Sequence, residues 1–273
     1  MPSLYRLLGL GPPFDATRFT TSYLLPPVVL ASCRLLIGLY AIVTNVSKLI
    51  IDNTPHSREQ HWSYFTNITY WSLGFYFLFA AYHTFVYNAK GVAPLQTWYR
   101  PLQAAHLVLW TTVVIFPLLV TAVYWGILAP TDSPFRSVYS GWSNISTHAL
   151  NSFFSLFELI FSRCSSPPWF HLVPIILFLA GYLGVAYITY ATQGFYTYAF
   201  LNPENGAKKL AIYIVGILVG VCVVFCVVWA FLWIKNWIAG KCGNKGWLSG
   251  RHSEEQQAEM GFESAKGREM SMA

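Results

Sequence analysis

The stretch from Leu210 to Ile234 reads LAIYIVGILVGVCVVFCVVWAFLWI and contains no charged residue. A helix needs about 20 consecutive apolar residues to cross the hydrocarbon core of a bilayer. This stretch exceeds that length, and it belongs to an apolar run that covers residues 207–238. The sequence therefore predicts a transmembrane helix over this run.

Five further apolar runs precede it, and connections that contain Pro, Asp or Gly separate them. These runs cover residues 24–51, 62–87, 103–128, 142–163 and 169–193. The predicted fold class is all-α, a polytopic membrane protein with a bundle of about six transmembrane helices. We expect an N-terminal cytosolic tail over 1–23, a six-helix transmembrane domain over 24–238 and a disordered cytosolic C-terminal tail over 239–273.

The composition excludes a soluble globular protein. Hydrophobic residues make up 55% of the chain, aromatic residues 18% and charged residues only 10%, whereas soluble domains are about 25% charged. The formal net charge is +6, but the basic residues flank apolar runs and do not form one patch. They indicate membrane topology, and we predict no nucleic-acid partner.

The distribution of Lys and Arg predicts the orientation, because cytoplasmic loops carry the excess of basic residues. If both termini are cytosolic, the cytosolic side holds nine basic residues and the other side five. The cytosolic set is Arg6, Arg18, Lys90, Arg100, Arg163, Lys235, Lys241, Lys245 and Arg251, and the other set is Lys48, Arg58, Arg136, Lys208 and Lys209. We therefore expect both termini in the cytosol.

The sequence gives no pattern for a metal or cofactor. The five cysteines form no CxxC pair. His83, His106 and His171 fall near predicted cytosolic helix ends, where a haem or metal is conceivable, but no HxxxH, HExxH or two-cysteine spacing accompanies them. We predict no cofactor and no metal site, and the sequence does not indicate an oligomeric state.

The fourth run carries an ordered polar face. At 100° per residue, its polar side chains lie within about 40° of one line along the helix. They are Asn144, His148, Asn151, Ser155, Glu158 and Ser162. Phe154, Phe157 and Phe161 lie on other faces, so the helix can direct its polar face into the bundle. An ionisable residue in a membrane span is a candidate functional residue, and Glu158 and His148 both qualify.

A second candidate element is the start of the second run, which reads HWSYFTNIT from His61 to Thr69. In the predicted topology this segment and His148 lie at similar depths near the same face of the bilayer. An imidazole can activate a threonine hydroxyl as a nucleophile. Composition alone does not separate Thr66 from Ser63 or Thr69, and a structural hydrogen-bond network between helices remains the alternative.

Three motifs in order resemble the androgen-induced and androgen-dependent membrane protein family. They are the stretch from Gly141 through His148 to Glu158, Tyr64-Phe65-Thr66-Asn67, and Gly194-Phe195-Tyr196-Thr197-Tyr198-Ala199-Phe200-Leu201. The likeness covers about residues 60–205. The fourth helix and the loop after it also resemble the rolling stone family, which is tied to cell fusion and has no established catalysis.

The first resemblance implies a membrane-embedded hydrolase of fatty acid esters of hydroxy fatty acids. By that resemblance Thr66 is the nucleophile and His148 is its general base, with membrane lipids and the fatty acid ester as partners. Asn144 and Asn151 are candidates for holding the imidazole or polarising the ester carbonyl. Glu158 lies about 15 Å along the helix from His148, too far to orient the ring directly.

Two other classes of membrane protein are alternatives to the hydrolase. A transporter is expected to show internal repeats or broken helices at matching places in two halves, and neither is evident. A non-enzymatic multi-pass protein, such as a rolling stone-like scaffold or a signalling or fusion component, remains the alternative. The expected location is the endomembrane system, in the endoplasmic reticulum or at the plasma membrane.

Overall fold

The computed structural model describes residues 3–11, 14–51, 60–129, 135–244 and 246. These residues form helices and turns without a strand, so the fold is all-α as predicted. They contain six long helical segments. The first three are α1 (Pro27–Ile51), α2 (Phe65–Lys90) and α3 (Arg100–Val123), the last extended by a π-helical turn Tyr124–Leu128. The others are α4 (Val138–Ile145, a π-helical turn Ser146–Leu150, then Asn151–Phe161), α5 (Leu172–Gln193) and α6 (Ala207–Lys241).

Four helices of the described part are long and apolar enough to cross a membrane: Pro27–Ile51, Arg100–Leu128, Trp169–Gln193 and Ala207–Lys241. The outer faces of α5 and α6 are apolar and exposed, as at Leu177 and Val227. Large exposed apolar faces of this kind need a lipid or protein environment. The chain is therefore an integral membrane protein.

The observed helix ends lie close to the predicted ones, with two informative differences. α4 begins at Val138 rather than residue 142, because the Ser137 and Ser140 side chains each accept a hydrogen bond from the other's backbone N–H. α6 continues to Lys241, beyond the predicted end at residue 238. From residue 247 onwards, the predicted disordered tail lies outside the described residues.

α1 and α2 form a closely packed antiparallel pair. A Cβ atom added at Gly38 would lie 2.8 Å from a Leu78 methyl carbon and 3.0 Å from the Leu78 backbone nitrogen. A Cβ atom added at Gly74 would lie 2.9 Å from the Ile42 side chain. The two glycines therefore allow the helix backbones to approach each other, as small residues do between membrane helices.

A buried ion pair joins α1 to α4. The Arg34 guanidinium donates to both carboxylate oxygens of Glu158, from Nε at 3.0 Å and from Nη2 at 2.5 Å. Neither side chain is exposed. Arg34 Nη1 also donates to the Thr84 hydroxyl of α2 and to the Phe19 carbonyl, and the Tyr76 hydroxyl donates to Glu158. Both side chains are thus paired and hydrogen-bonded, as buried charges require.

The N-terminal segment packs across one end of the bundle rather than extending from it. Leu10 and Phe19 are buried, and the carbonyl of Leu10 accepts a hydrogen bond from Arg100. The backbone N–H of Arg163, which follows α4, donates to the Thr21 carbonyl at 2.9 Å. The Tyr23 hydroxyl donates to Asn236 near the end of α6. The N-terminal segment, the α4–α5 connection and the end of α6 therefore share one end of the bundle.

The close approach at Gly38 gives a first test of the fold. Gly38→Ala should lower the free energy of unfolding by about 1–3 kcal/mol, because the new methyl group meets Leu78 backbone and side-chain atoms. Gly216→Ala on α6 is the matched control, since nothing lies within 4 Å of the added carbon. Reversible unfolding in mixed micelles measures both. Equal effects of the two substitutions would contradict the close packing of α1 on α2.

The buried ion pair gives a second test. Glu158→Gln should destabilise the protein by about 3–5 kcal/mol, because it leaves the Arg34 charge buried without its counter-ion. The control is Asp15→Asn at the partly exposed Arg163–Asp15 pair, whose nitrogen and oxygen lie 3.1 Å apart. That substitution should cost less than about 1 kcal/mol. A similar loss in both variants, measured in the same micelles, would show that the Arg34–Glu158 pair does not hold the helices together.

Candidate functional site

The polar face predicted for α4 points into the bundle. Ser155, Glu158 and Ser162 are fully buried, and Asn151 is nearly so. The residues on the outward face are apolar, as at Phe153 and Ile160. The prediction that this helix turns its polar side inward is therefore confirmed from Asn151 to Ser162, whereas Asn144 and His148 are half-buried.

His148 lies in the π-helical turn Ser146–Leu150 that interrupts α4. Such turns are rare and are frequent at functional sites. The turn is fixed by local bonds, since the Thr147 hydroxyl donates to the Ser143 carbonyl at 2.8 Å. From α3, the Trp125 indole N–H donates to the His148 carbonyl at 2.9 Å. The backbone around His148 is thus held by two helices.

The contacts of the His148 ring define its proton position. Nδ1 lies 3.2 Å from the Asn144 carbonyl oxygen and 3.2 Å from the Thr147 hydroxyl. A carbonyl oxygen can only accept, so Nδ1 carries the hydrogen. In the neutral ring, Nε2 then has the free lone pair that a general base requires. The ring also stacks on Tyr124, with ring centroids 3.5 Å apart and planes 7° apart.

Thr66 lies in the first turn of α2 and is 8% exposed. It lines a cavity of about 240 Å³. The remaining lining residues are almost all apolar or aromatic: Phe65, Leu119, Val120, Val123, Tyr124, Leu128, Ile176, Leu179, Ala180, Tyr182, Leu183, Tyr198, Phe200, Leu201, Ile214, Ile217 and Leu218. The Tyr198 phenol, from the connection between α5 and α6, interacts with Thr66. Thr66 thus places a hydroxyl group in the wall of an apolar cavity.

The cavity lies between α3, α5 and α6. Two of its lining residues, Ala180 on α5 and Leu218 on α6, are exposed on the outside of the bundle. The cavity is therefore flanked by two helices whose outer faces are apolar.

Thr66 and His148 lie at the same end of the bundle, but no hydrogen bond joins them among the described residues. Tyr124 connects the two places, because it lines the cavity beside Thr66 and stacks on the His148 ring. Tyr124 was not identified from the sequence. Its position directly after the last α-helical turn of α3, in a π-helical turn, is visible only in the structure.

The side-chain amides of the two candidate asparagines bond to α3 and α4 rather than to the imidazole. Asn144 Oδ1 accepts from the Tyr124 hydroxyl at 2.7 Å, and Asn144 Nδ2 donates to the Ser140 carbonyl. Asn151 Oδ1 accepts from the Thr121 hydroxyl at 3.0 Å and from the Ser152 backbone. Asn144 therefore orients Tyr124 under His148, and it contributes its backbone carbonyl to the ring.

Glu158 is engaged in the ion pair with Arg34 and the bond from Tyr76. Sequence reasoning singled out Glu158 and missed Arg34. A signal was present, because Arg34 lies in the interior of an apolar run, far from its ends, and a charged residue at such a place needs a partner. In this structure Glu158 serves the packing of the helices.

The three histidines near the opposite end do not lie together. His171 Nδ1 contacts the Thr111 hydroxyl at 2.6 Å, and its Nε2 contacts the Leu8 carbonyl at 3.2 Å. His83 and His106 have ring centroids 5.5 Å apart. Within the described ranges no three His, Cys, Asp or Glu residues are grouped as metal ligands.

Lys48 and His61 bring further polar groups to the end of the bundle near Thr66. The Lys48 ammonium donates to the Asn67 side-chain oxygen at 2.8 Å, and the Asn67 amide donates to the His61 carbonyl at 2.9 Å. His61 Nε2 accepts from the Trp71 indole N–H at 3.1 Å. This polar layer lies next to Thr66, because Asn67 follows Thr66 directly in the chain.

Comparison of the chain with protein-family models, curated proteins and solved structures finds no match.

Acidification should destabilise the layer around His61. Burial and the nearby Lys48 ammonium lower the pKa of His61 from 6.5 to about 4. The unfolded state binds a proton near pH 6.5, whereas the folded state binds it only near pH 4. The free energy of unfolding should therefore have its full value above pH 6.5 and decrease as the pH drops towards 4. The loss should be about 1–2 kcal/mol after solvent screening is allowed for.

Thermal unfolding of the wild type and of His61→Gln between these pH values measures this effect. The substituted side chain does not titrate, so the curve of His61→Gln should be flatter than that of the wild type. Parallel curves would show that His61 does not contribute to the pH dependence.

Proposed function

We propose that this chain is a membrane-embedded hydrolase of lipid esters, with Thr66 as the nucleophile and His148 as the general base. The single observation that carries the proposal is the position of Thr66 in the wall of an apolar cavity. In this proposal the ester enters the cavity from the membrane, between α5 and α6. Ligand sites are typically concave and mostly apolar, with few polar groups. An ester with long acyl chains matches this chemistry.

The substrate class follows from the motifs. Their resemblance to the androgen-induced and androgen-dependent family points to fatty acid esters of hydroxy fatty acids or similar lipids. Such a substrate has two acyl chains and one internal ester, so the chains can occupy the apolar cavity while the ester carbonyl meets Thr66. The protein needs no cofactor for this reaction.

The reaction is an acyl transfer in two halves. The Thr66 oxygen attacks the ester carbonyl carbon while its proton passes to His148 Nε2. The tetrahedral intermediate collapses, the bond to the alcohol oxygen breaks, and the hydroxy fatty acid leaves with the proton from His148. Water then attacks the acyl-enzyme, gives a proton to His148 and releases the fatty acid, and the proton returns to the Thr66 oxygen.

This mechanism requires Thr66 and His148 to come into hydrogen-bond contact in the substrate complex, directly or through one water molecule. Two features favour it. The bond from His148 Nδ1 to the Asn144 carbonyl leaves the lone pair of Nε2 free to accept a proton. Tyr124 places its ring against both the imidazole and the cavity, and can support the imidazole when substrate enters.

The proposed membrane arrangement has six spans and both termini in the cytosol, in the endomembrane system. The two spans added to the four long apolar helices are α2 and α4. α2 pairs along its length with α1, and α4 is anchored through Glu158 to Arg34. Both run through the bundle beside helices that can cross a membrane, which supports their crossing it too.

The first experiment treats the detergent-solubilised protein with a fluorophosphonate probe of activated hydroxyl groups. The wild type should be labelled, and Thr66→Ala and His148→Ala should each lose at least about 99% of the labelling rate, since a nucleophile and its base act as a unit. Thr69→Ala is the matched control, because the Thr69 hydroxyl is on the same helix and bonds to the Phe65 and Thr66 carbonyls. It should label like the wild type.

Intact mass spectrometry assigns the labelled residue, and unfolding curves establish that the variants are folded. A wild type that stays unlabelled under conditions that label an active threonine hydrolase would refute the proposal. In that case the non-enzymatic reading, a rolling stone-like scaffold or fusion component, would explain the polar face of α4 as a structural network.

A further inference from the structure

A group of buried polar side chains lies between α1 and α2, one layer below the polar end of the bundle. The pairing of the two helices is fixed at both sides of this group, by Ile42 against Gly74 and by Lys48 against Asn67. Asn45 and the adjacent Thr44 therefore lie opposite Tyr70. All three are buried, with exposures of 0%, 1% and 2%.

These side chains lack hydrogen-bond partners within the described part of the chain. The unpartnered atoms are the Thr44 hydroxyl, both polar atoms of the Asn45 amide and the Tyr70 hydroxyl. Tyr70 lies beside Thr44, but no hydrogen bond of acceptable geometry joins them. Nearly all buried polar groups in proteins are hydrogen-bonded to protein or to ordered water. Buried polar groups without a protein partner can take their hydrogen bonds from ordered water.

The group continues towards His148. Tyr70 lies within electrostatic range of Tyr40 on α1, and the Tyr40 and Ser146 hydroxyls are 2.7 Å apart. Ser146 is the first residue of the π-helical turn that contains His148. At the other side, the bond between Lys48 and Asn67 lies about one helical turn closer to the end of the bundle. Polar groups therefore lie on both sides of Thr44, Asn45 and Tyr70.

We propose that Thr44, Asn45 and Tyr70 hold a column of ordered water that supplies the hydrolytic water to the acylated Thr66. This inference rests on the proposed function. It explains how water reaches an ester that is bound among lipid chains, because the cavity beside Thr66 is lined almost entirely by apolar and aromatic side chains. In this arrangement lipid and water approach Thr66 from different sides.

The step that the column serves is deacylation. A water oxygen forms a bond to the acyl carbonyl carbon, and one water proton moves to His148 Nε2. The bond between that carbon and the Thr66 oxygen then breaks, and the proton moves from His148 to the Thr66 oxygen. The products are a free fatty acid and the regenerated hydroxyl group. Acylation of Thr66 consumes no water, so only the second half depends on the column.

Hydroxyl-radical footprinting of the wild type tests the water directly. Radicals formed from bound water should modify Tyr70 several times faster than Tyr76. Tyr76 is the matched control, because it is on the same helix, fully buried and bonded to Glu158. Equal modification of the two tyrosines would overturn the proposal. This measurement needs no variant and no catalytic activity.

The variant Thr44→Val/Tyr70→Phe tests the role of the water. It keeps the shape of both side chains but removes the hydroxyl groups. Fluorophosphonate labelling of Thr66 should keep its wild-type rate, whereas ester turnover should fall by about tenfold. The acyl-enzyme should accumulate, as intact mass spectrometry can show. Ser72→Ala is the control, since the Ser72 hydroxyl bonds to the Ile68 carbonyl, and its turnover should be unchanged.

Unchanged turnover in the double variant, or an equal loss of labelling and turnover, would overturn the supply of hydrolytic water through this column. The absence of labelling in the wild type would instead refute the hydrolase itself. The footprinting contrast between Tyr70 and Tyr76 would then still decide whether the column holds water.

Discussion

The ion pair between Arg34 and Glu158 is the interaction on which the arrangement of this bundle depends. It joins α1 to α4, which are distant in sequence, and it recruits Tyr76 and Thr84 from α2 and the Phe19 carbonyl from the N-terminal segment. A charge in this interior is unfavourable unless its partner is in place. The pair therefore favours one arrangement of the helices over others that would bury the same apolar surface. This matters in a membrane, where apolar contact alone discriminates poorly between helix pairings.

The sequence was sufficient for the fold class and for the approximate helix ends, because the length of an apolar run is a local property. It was also sufficient for the inward orientation of the α4 polar face, which follows from helical periodicity. The partner of Glu158 could not be predicted in the same way. Arg34 is separated from Glu158 by 124 positions, and periodicity carries no information about which helices are neighbours.

For the candidate site too, local patterns in the sequence predict individual residues but not their neighbours in space. Periodicity and motif order led to Thr66 and His148, and the structure places both at one end of the bundle. The link through Tyr124 and the apolar cavity depends on the packing of α3 against α4, α5 and α6, which no local pattern reports. The roles suggested for Asn144 and Asn151 assumed that polar residues one turn from His148 face its ring. Their amide groups instead accept hydrogen bonds from two hydroxyl groups of α3, those of Tyr124 and Thr121.

The proposed entry of substrate between α5 and α6 has a kinetic consequence. A ligand that enters from the lipid phase is dissolved in the two-dimensional membrane. The concentration that sets its binding is its mole fraction among the surrounding lipids. Occupancy of the cavity then falls when inert lipid or detergent is added at constant total ligand, although the aqueous concentration does not change. For the proposed hydrolase, surface dilution governs the supply of substrate, and the composition of the membrane becomes part of the rate law.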